Sequence, residues 1–146
     1  MSNVGQYSNL KPGGWIEVQE LGLPVCDDNT MDGTAQQQAW SLLQESMTKA
    51  GRPYADVGQF KKWMEEGGFT NVVEKRFVWP MNQWPKDPCL KELGSWNLVN
   101  VREGTETFLL ATLTRILGWK KEDVQVLAAK VRAELGDRRI HAYNPM

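Results

Sequence analysis

The sequence predicts an α+β fold in one domain over residues 1–146, mostly helical, with a few-stranded sheet and about five helices. Three observations lead there. Only two runs, 15–20 and 72–79, read as strands. The apolar residues beyond Asp87 recur at helical spacing. Glycine and proline punctuate the chain where elements must end. Within the domain, residues 10–80 carry the strands with two helices, 81–137 are helical, and 138–146 form a tail.

The first strand follows Leu10-Lys11-Pro12-Gly13-Gly14. Pro12 fixes its own φ, the two glycines permit a left-handed turn, and Trp15, Ile16 and Val18 read as a short strand with apolar residues on both faces. Residues 24–33 are turn formers without apolar period, hence a loop. A helix capped near Thr34 and ended by Gly51-Arg52-Pro53 follows, with Ala39, Leu43, Met47 and Ala50 as its stripe and Trp40 and Leu42 flanking. Asp56, three residues before Gln59, opens a short helix carrying Phe60, Trp63 and Met64, closed by Gly67-Gly68. The second strand, 72–79, mixes apolar and charged residues on both faces, as an edge strand does.

Asp87-Pro88 starts the third helix, with proline in its first turn, leading through Leu90, Leu93, Trp96 and Leu98. Thr105, after Gly104, starts a fourth. There Phe108, Leu109, Leu110, Leu113, Ile116 and Leu117 surround the axis, a pattern expected of a buried helix. The fifth has one clean stripe: Val124, Leu127, Ala128, Val131 and Leu135. The closing GDRRIHAYNPM reads as a tail without a strand.

Composition limits the function classes. Seventeen basic and eighteen acidic residues leave a formal charge of −1, so nothing in the charge balance calls for nucleic acid or an anionic membrane as partner. No run approaches the ~20 apolar residues of a membrane span, and MSNVGQYSNL has neither the basic start nor the apolar run of a signal peptide. The cytoplasm is the expected compartment, where Cys26 and Cys89 are free thiols. One histidine and two separated cysteines give no structural zinc spacing, so no metal is expected. Seven tryptophans are many for 146 residues; they are expected at core edges, pockets and interfaces.

Leu10 to Glu20 resembles the turn and fifth strand of class I methyltransferases. Glu65-Glu66-Gly67-Gly68-Phe69, Trp84-Pro85-Lys86-Asp87-Pro88, Leu93-Gly94-Ser95-Trp96-Asn97, Thr114-Arg115-Ile116-Leu117-Gly118-Trp119 and Arg139-Ile140-His141-Ala142-Tyr143 follow in order. Together they resemble the C-terminal half of the fungal LaeA-like methyltransferases associated with secondary metabolism, over roughly residues 10–143. The resemblance implies a remnant of the α/β core over 10–80 and a helical cap over the methyl-acceptor pocket over 81–137. That family binds S-adenosylmethionine with a glycine-rich loop after its first strand and an acidic residue closing its second. Neither is expected here, because Gly13-Gly14 precedes a strand instead of leading from one into a helix. The family's last strand, inserted antiparallel between the fifth and sixth, is also expected to be missing. A sheet so reduced leaves bare edges and an open helix face, which predicts a homodimer or a rearranged helical domain.

The candidate catalytic residues are Glu20, Asn97 and His141. Glu20 stands at the carboxyl end of a strand, where open α/β folds bind ligands. Asn97 lies on the Leu90-Leu93 face, where a buried amide needs partners from protein or substrate. His141 is the residue that titrates near neutrality without help; a structural or exposed histidine is the plainer reading. Trp84, Trp96, Asn100 and Arg115 are the candidate substrate-binding residues. Trp96 and Asn100 fall in the cap, and Arg115 could grip a substrate carboxylate bidentately or pair with a nearby Glu. The implied function is a methyltransferase-derived enzyme of secondary metabolism. It would use no cofactor, holding an apolar small molecule in a Trp-lined pocket for cyclisation or rearrangement. The alternatives are a non-catalytic partner of a methyltransferase, or a fragment of one.

Overall fold

The computed structural model describes residues 10–54 and 56–146. The chain's first residues, read above as neither signal peptide nor cofactor loop, lie outside them. Four helices and a two-stranded sheet form, so the mostly helical reading holds at that level.

Helix α1, Ala35–Lys49, starts as expected at Thr34, whose side chain accepts from the Gln37 amide. Its end is a Schellman turn: Gly51 sits at φ +71°, Gly51 N donates to Thr48 O and Arg52 N to Met47 O, satisfying carbonyls the helix leaves orphaned. The buried face is Ala35, Gln36, Ala39, Trp40, Leu43 and Ser46; Met47 is half-buried and Ala50 exposed. Asp56 caps a 3-10 turn, Val57–Gln59, by accepting from Gly58 N. That turn leads into α2, Phe60–Glu66. Gly68, at φ +92°, ends α2 with the same pair of bonds, Gly68 N to Glu65 O and Phe69 N to Met64 O.

The expected third and fourth helices are one, α3, Pro88–Ile116, of 29 residues. Gly104 mid-helix costs about 1 kcal/mol relative to Ala, yet it does not break α3, because packing on both sides of it holds the helix. Thr105, Leu109 and Leu113 are buried, and the Phe108 ring lies over Gly104, where an added Cβ would meet it at 2.6 Å. The expected all-round burial of this segment fails. Phe108 is exposed and Leu110, Ile116 and Leu117 are half-buried, because α1, α4 and the sheet cover only part of α3.

Helix α4, Lys121–Leu135, buries Val124, Leu127, Ala128, Val131 and Leu135, the stripe read from its spacing. The core is thus the three-helix contact of α1, α3 and α4, closed at one end by Met81, Ile140 and Ala142. Arg132 fastens α4 across α3 through Arg102 O at 3.1 Å and Glu106 at 3.0 Å.

The strands differ most from expectation. Residues 15–20 form no ladder; none of their amides donates to a described backbone carbonyl, and an extended segment without a neighbour is not a strand. Only the end of the second run is one: β1, Val78–Pro80. Its partner, β2, Tyr143–Pro145, lies in the tail expected to be strandless. Three residues ending in proline carry no alternation to read; a long-range ladder makes this strand. β2 pairs antiparallel with β1 on one side, bridges Val25 on the other, and its Pro145 carbonyl accepts from Gly22 N at 2.8 Å. The tail therefore lies between residues 22–25 and β1.

Candidate functional site

The tail seats on α3 through an amide chain. Asn97 Nδ2 donates to Pro80 O at 3.0 Å and to Asn144 Oδ1 at 3.2 Å, and Asn144 Nδ2 donates to Gly22 O at 2.9 Å. Gly94, one turn earlier, lets the Asn82 backbone pass: a Cβ there would stand 2.0 Å from Asn82 O. Asn82 in turn donates to Asp137 O and Ile140 O just past α4. These contacts fix the tail from Ile140 to Pro145 against loop 22–30.

On that seam the structure assembles a cluster that sequence reading did not. Asp28 Oδ2 meets His141 Nδ1 at 2.5 Å, and Asp28 Oδ1 accepts from Thr30 Oγ1 at 2.8 Å and from the Cys26 thiol at 2.9 Å. These donors hold the Asp28 carboxyl well below the usual carboxylate range, the Cys26 bond contributing most, then His141, then Thr30. Thr30 Oγ1 also takes the His141 backbone amide at 2.8 Å. The Trp84 ring lies 5.1 Å from the imidazole, and its Nε1 donates to Ala142 O at 3.0 Å. Tyr143, which opens β2 two residues on, donates its hydroxyl to Asp27 at 3.0 Å. Desolvation, with Asp27 beside it, pushes the Tyr143 phenol upward.

A second feature is a groove of about 420 Å³ between residues 13–20, α2 and residues 69–75. Trp15, Val18, Phe60, Met64 and Val72 give it apolar walls, and Glu20 stands among its lining. Glu20 Oε1 accepts from Leu21 N at 3.3 Å and is otherwise open to solvent. Trp15 is 86% exposed.

The expected site residues thus fall in five places. His141 and Trp84 meet at the tail seam, and Glu20 lines the groove. Asn97 is buried with its amide committed to protein acceptors, the partners a buried amide requires. Trp96, 69% exposed, and Asn100 lie on the outer face of α3. Arg115 is near the end of α3, exposed, in a shallow depression with Glu106 and Arg132. Asp27, Asp28, Thr30 and Tyr143 were missed. The signal available was the spacing Asp28-x-Thr30, which forms an Asx turn through Thr30 N to Asp28 Oδ1 at 3.2 Å; the pairing across 113 positions left none.

The described residues do not fit S-adenosylmethionine. The strand that leads into a helix, β1, does so through Met81–Asp87, which holds no glycine. At α1, Gly33 precedes the helix, but Thr34 and the Glu134 carboxylate already take the first-turn amides of Ala35, Gln36 and Gln37. No group of described residues could hold a metal ion. Both cysteines are free, and no described helix is long and apolar enough to cross a membrane.

Sequence comparison supplies the class. The chain is 39% identical over 142 residues to the probable methyltransferase tdiE of Emericella nidulans, covering 96% of this chain and 45% of that protein. It is 39% identical to the methyltransferase pytC of Aspergillus terreus, covering 93% and 43%. It is 33% identical to the secondary metabolism regulator laeA of Aspergillus fumigatus, covering 94% and 38%. No family model and no solved structure matches. The relatives are thus fungal methyltransferases and regulators of secondary metabolism, and the chain spans less than half of their length. Over nearly all of its own length, then, the chain is similar to a part of the LaeA-like methyltransferases.

Proposed function

We propose that the chain is the acceptor side of a LaeA-like methyltransferase and holds an apolar small molecule of secondary metabolism in the groove beside α2. The observation that carries this is the groove itself: apolar walls, a charged rim of Glu17, Glu20, Glu74, Lys61 and Lys75, and a volume within the range of small-molecule sites. Its position supports the same reading, since Leu10 to Glu20 resembles the strand that ends beside the substrate site. The cofactor is then bound by sequence that the relatives carry outside the matched region.

Binding of 8-anilinonaphthalene-1-sulfonate tests the groove. Phe60→Ser and Val18→Asp each remove an apolar wall and should weaken the probe several-fold while leaving the helical circular dichroism unchanged. Equal binding by both variants would overturn the reading.

A second reading keeps the groove and changes the chemistry to a cofactor-free cyclisation or rearrangement, with Glu20 accepting a proton from the substrate. The solvent-open Glu20 carboxylate, and the poor fit of the described residues to S-adenosylmethionine, favour it. Conversion of the biosynthetic precursor without S-adenosylmethionine, lost in Glu20→Gln, would support it; conversion that needs S-adenosylmethionine would reject it. We also propose a homodimer through the bare outer face of α3, where Trp96 and Val99 are exposed. A stable monomer at micromolar concentration in analytical ultracentrifugation would remove that proposal.

A further inference from the structure

We propose that His141 and Asp28 form an acid–base dyad, separate from the groove, that accepts a proton at His141 Nε2 from a neutral aromatic hydroxyl. The imidazole is held from three directions. Its backbone amide is tied to Thr30 Oγ1 at 2.8 Å, its Nδ1 meets Asp28 Oδ2 at 2.5 Å, and its ring packs by Trp84 with centroids 5.1 Å apart. Asp28 is itself fixed by Cys26 and Thr30, so it is the positioning residue. A carboxylate on Nδ1 selects the tautomer with the proton on that nitrogen and leaves the Nε2 lone pair bare.

Nε2 makes no hydrogen bond among the described residues, and the side chain is 40% exposed. The basic atom is therefore both prepared and reachable. The step is a simple transfer: the O–H bond of the ligand breaks, an N–H bond forms at Nε2, and the electron pair stays on the oxygen. The resulting imidazolium faces Asp28, which stabilises it.

The surroundings set the ligand class. Asp27 and Asp28 come from the loop and Tyr143 from β2. Arg139 is turned to Asp137, and Arg138 donates to Gln83. With two carboxylates near and both arginines engaged, an anion is disfavoured and a neutral proton donor suits the site. The Trp84 ring beside the imidazole suits a flat ring.

The chain has one histidine, so its ring nitrogens are read without overlap by ¹⁵N nuclear magnetic resonance, with phenol as the probe. At about pH 9, Nδ1 should carry the proton and Nε2 should be bare. Phenol should then shift Nε2 and the Trp84 indole together. Asp28→Asn should move proton occupancy toward Nε2 and weaken the phenol response several-fold; Asp28→Glu should restore part of it. A proton on Nε2 in the unaltered chain, or no shift of Nε2 with millimolar phenol, would overturn the dyad and leave a structural tie. Because the tautomer is read on the unaltered chain, a variant that fails to fold does not spare the proposal. The readout does not use the groove, so failure here is distinct from failure of the groove reading.

Discussion

Gly94 and Asn97 sit on one face of α3, and each is set by the backbone at Pro80 to Asn82. For Gly94 the constraint is steric: a methyl group would stand 2.0 Å from Asn82 O, and overpacking of this kind costs about 1–3 kcal/mol. Gly94→Ala should lower the urea midpoint accordingly, whereas Gly94 free of that contact would make the change neutral or stabilising. Asn97→Ala leaves the Pro80 carbonyl and Asn144 amide short of a partner and should cost about 1–3 kcal/mol. Acid titration separates a different pair. Arg139 holds the Asp137 carboxyl down from 3.8 to about 2, and Asp28 is lowered too. Groups depressed in the fold contribute stability above the ordinary carboxylate pKa and lose it as pH falls through the folded value. The chain should therefore lose stability progressively below about pH 4, and Asp28→Asn should flatten that loss; an unchanged acid profile would contradict it. At this scale the sequence showed that a buried Asn97 needs partners and singled out His141 as the one histidine. It could not show Asp28 as the partner, because nothing local links loop 26–30 to the tail.

Among elements, α1 is held at its start by α4. Both oxygens of Glu134 accept first-turn amides, from Ala35 at 3.1 Å and Gln36 at 3.0 Å, beside the Thr34 cap. Glu134→Ala should cost about 1–2 kcal/mol, the size of a lost cap, measured by thermal unfolding; an unchanged midpoint would show the contact to be idle. The helices were the legible part of the fold. Thr34, Asp87, Gly51 and Gly68 mark real ends because capping and left-handed closure are local chemistry, and the α4 stripe is local periodicity. Gly104 misled for the complementary reason: its cost is local, while what offsets it is the packing of Thr105, Leu109 and Phe108. The strands were least legible. Trp15 to Glu20 has strand composition but no described neighbour to pair with, and Tyr143–Pro145 has a neighbour but no strand composition.

For the molecule as a whole, the three-helix core and the seated tail make a folded unit, and the groove beside α2 lies outside that core. The family resemblance over residues 10–143 agrees with the relatives, which the chain matches over less than half of their length. It did not place the candidate residues in one pocket: they divide among the groove, the tail seam, the buried side of α3 at Asn97, its outer face and the depression at Arg115. The central claim is that this chain carries the acceptor side and does not itself bind the methyl donor. Calorimetric titration of S-adenosylmethionine into the purified chain tests it most directly. No saturable heat is predicted up to millimolar ligand, since Thr34 and Glu134 occupy the start of α1 and, among the described residues, no glycine turn leads from the β1 strand into a helix. Saturable binding at micromolar concentration, unaffected by the groove variants, would contradict the account.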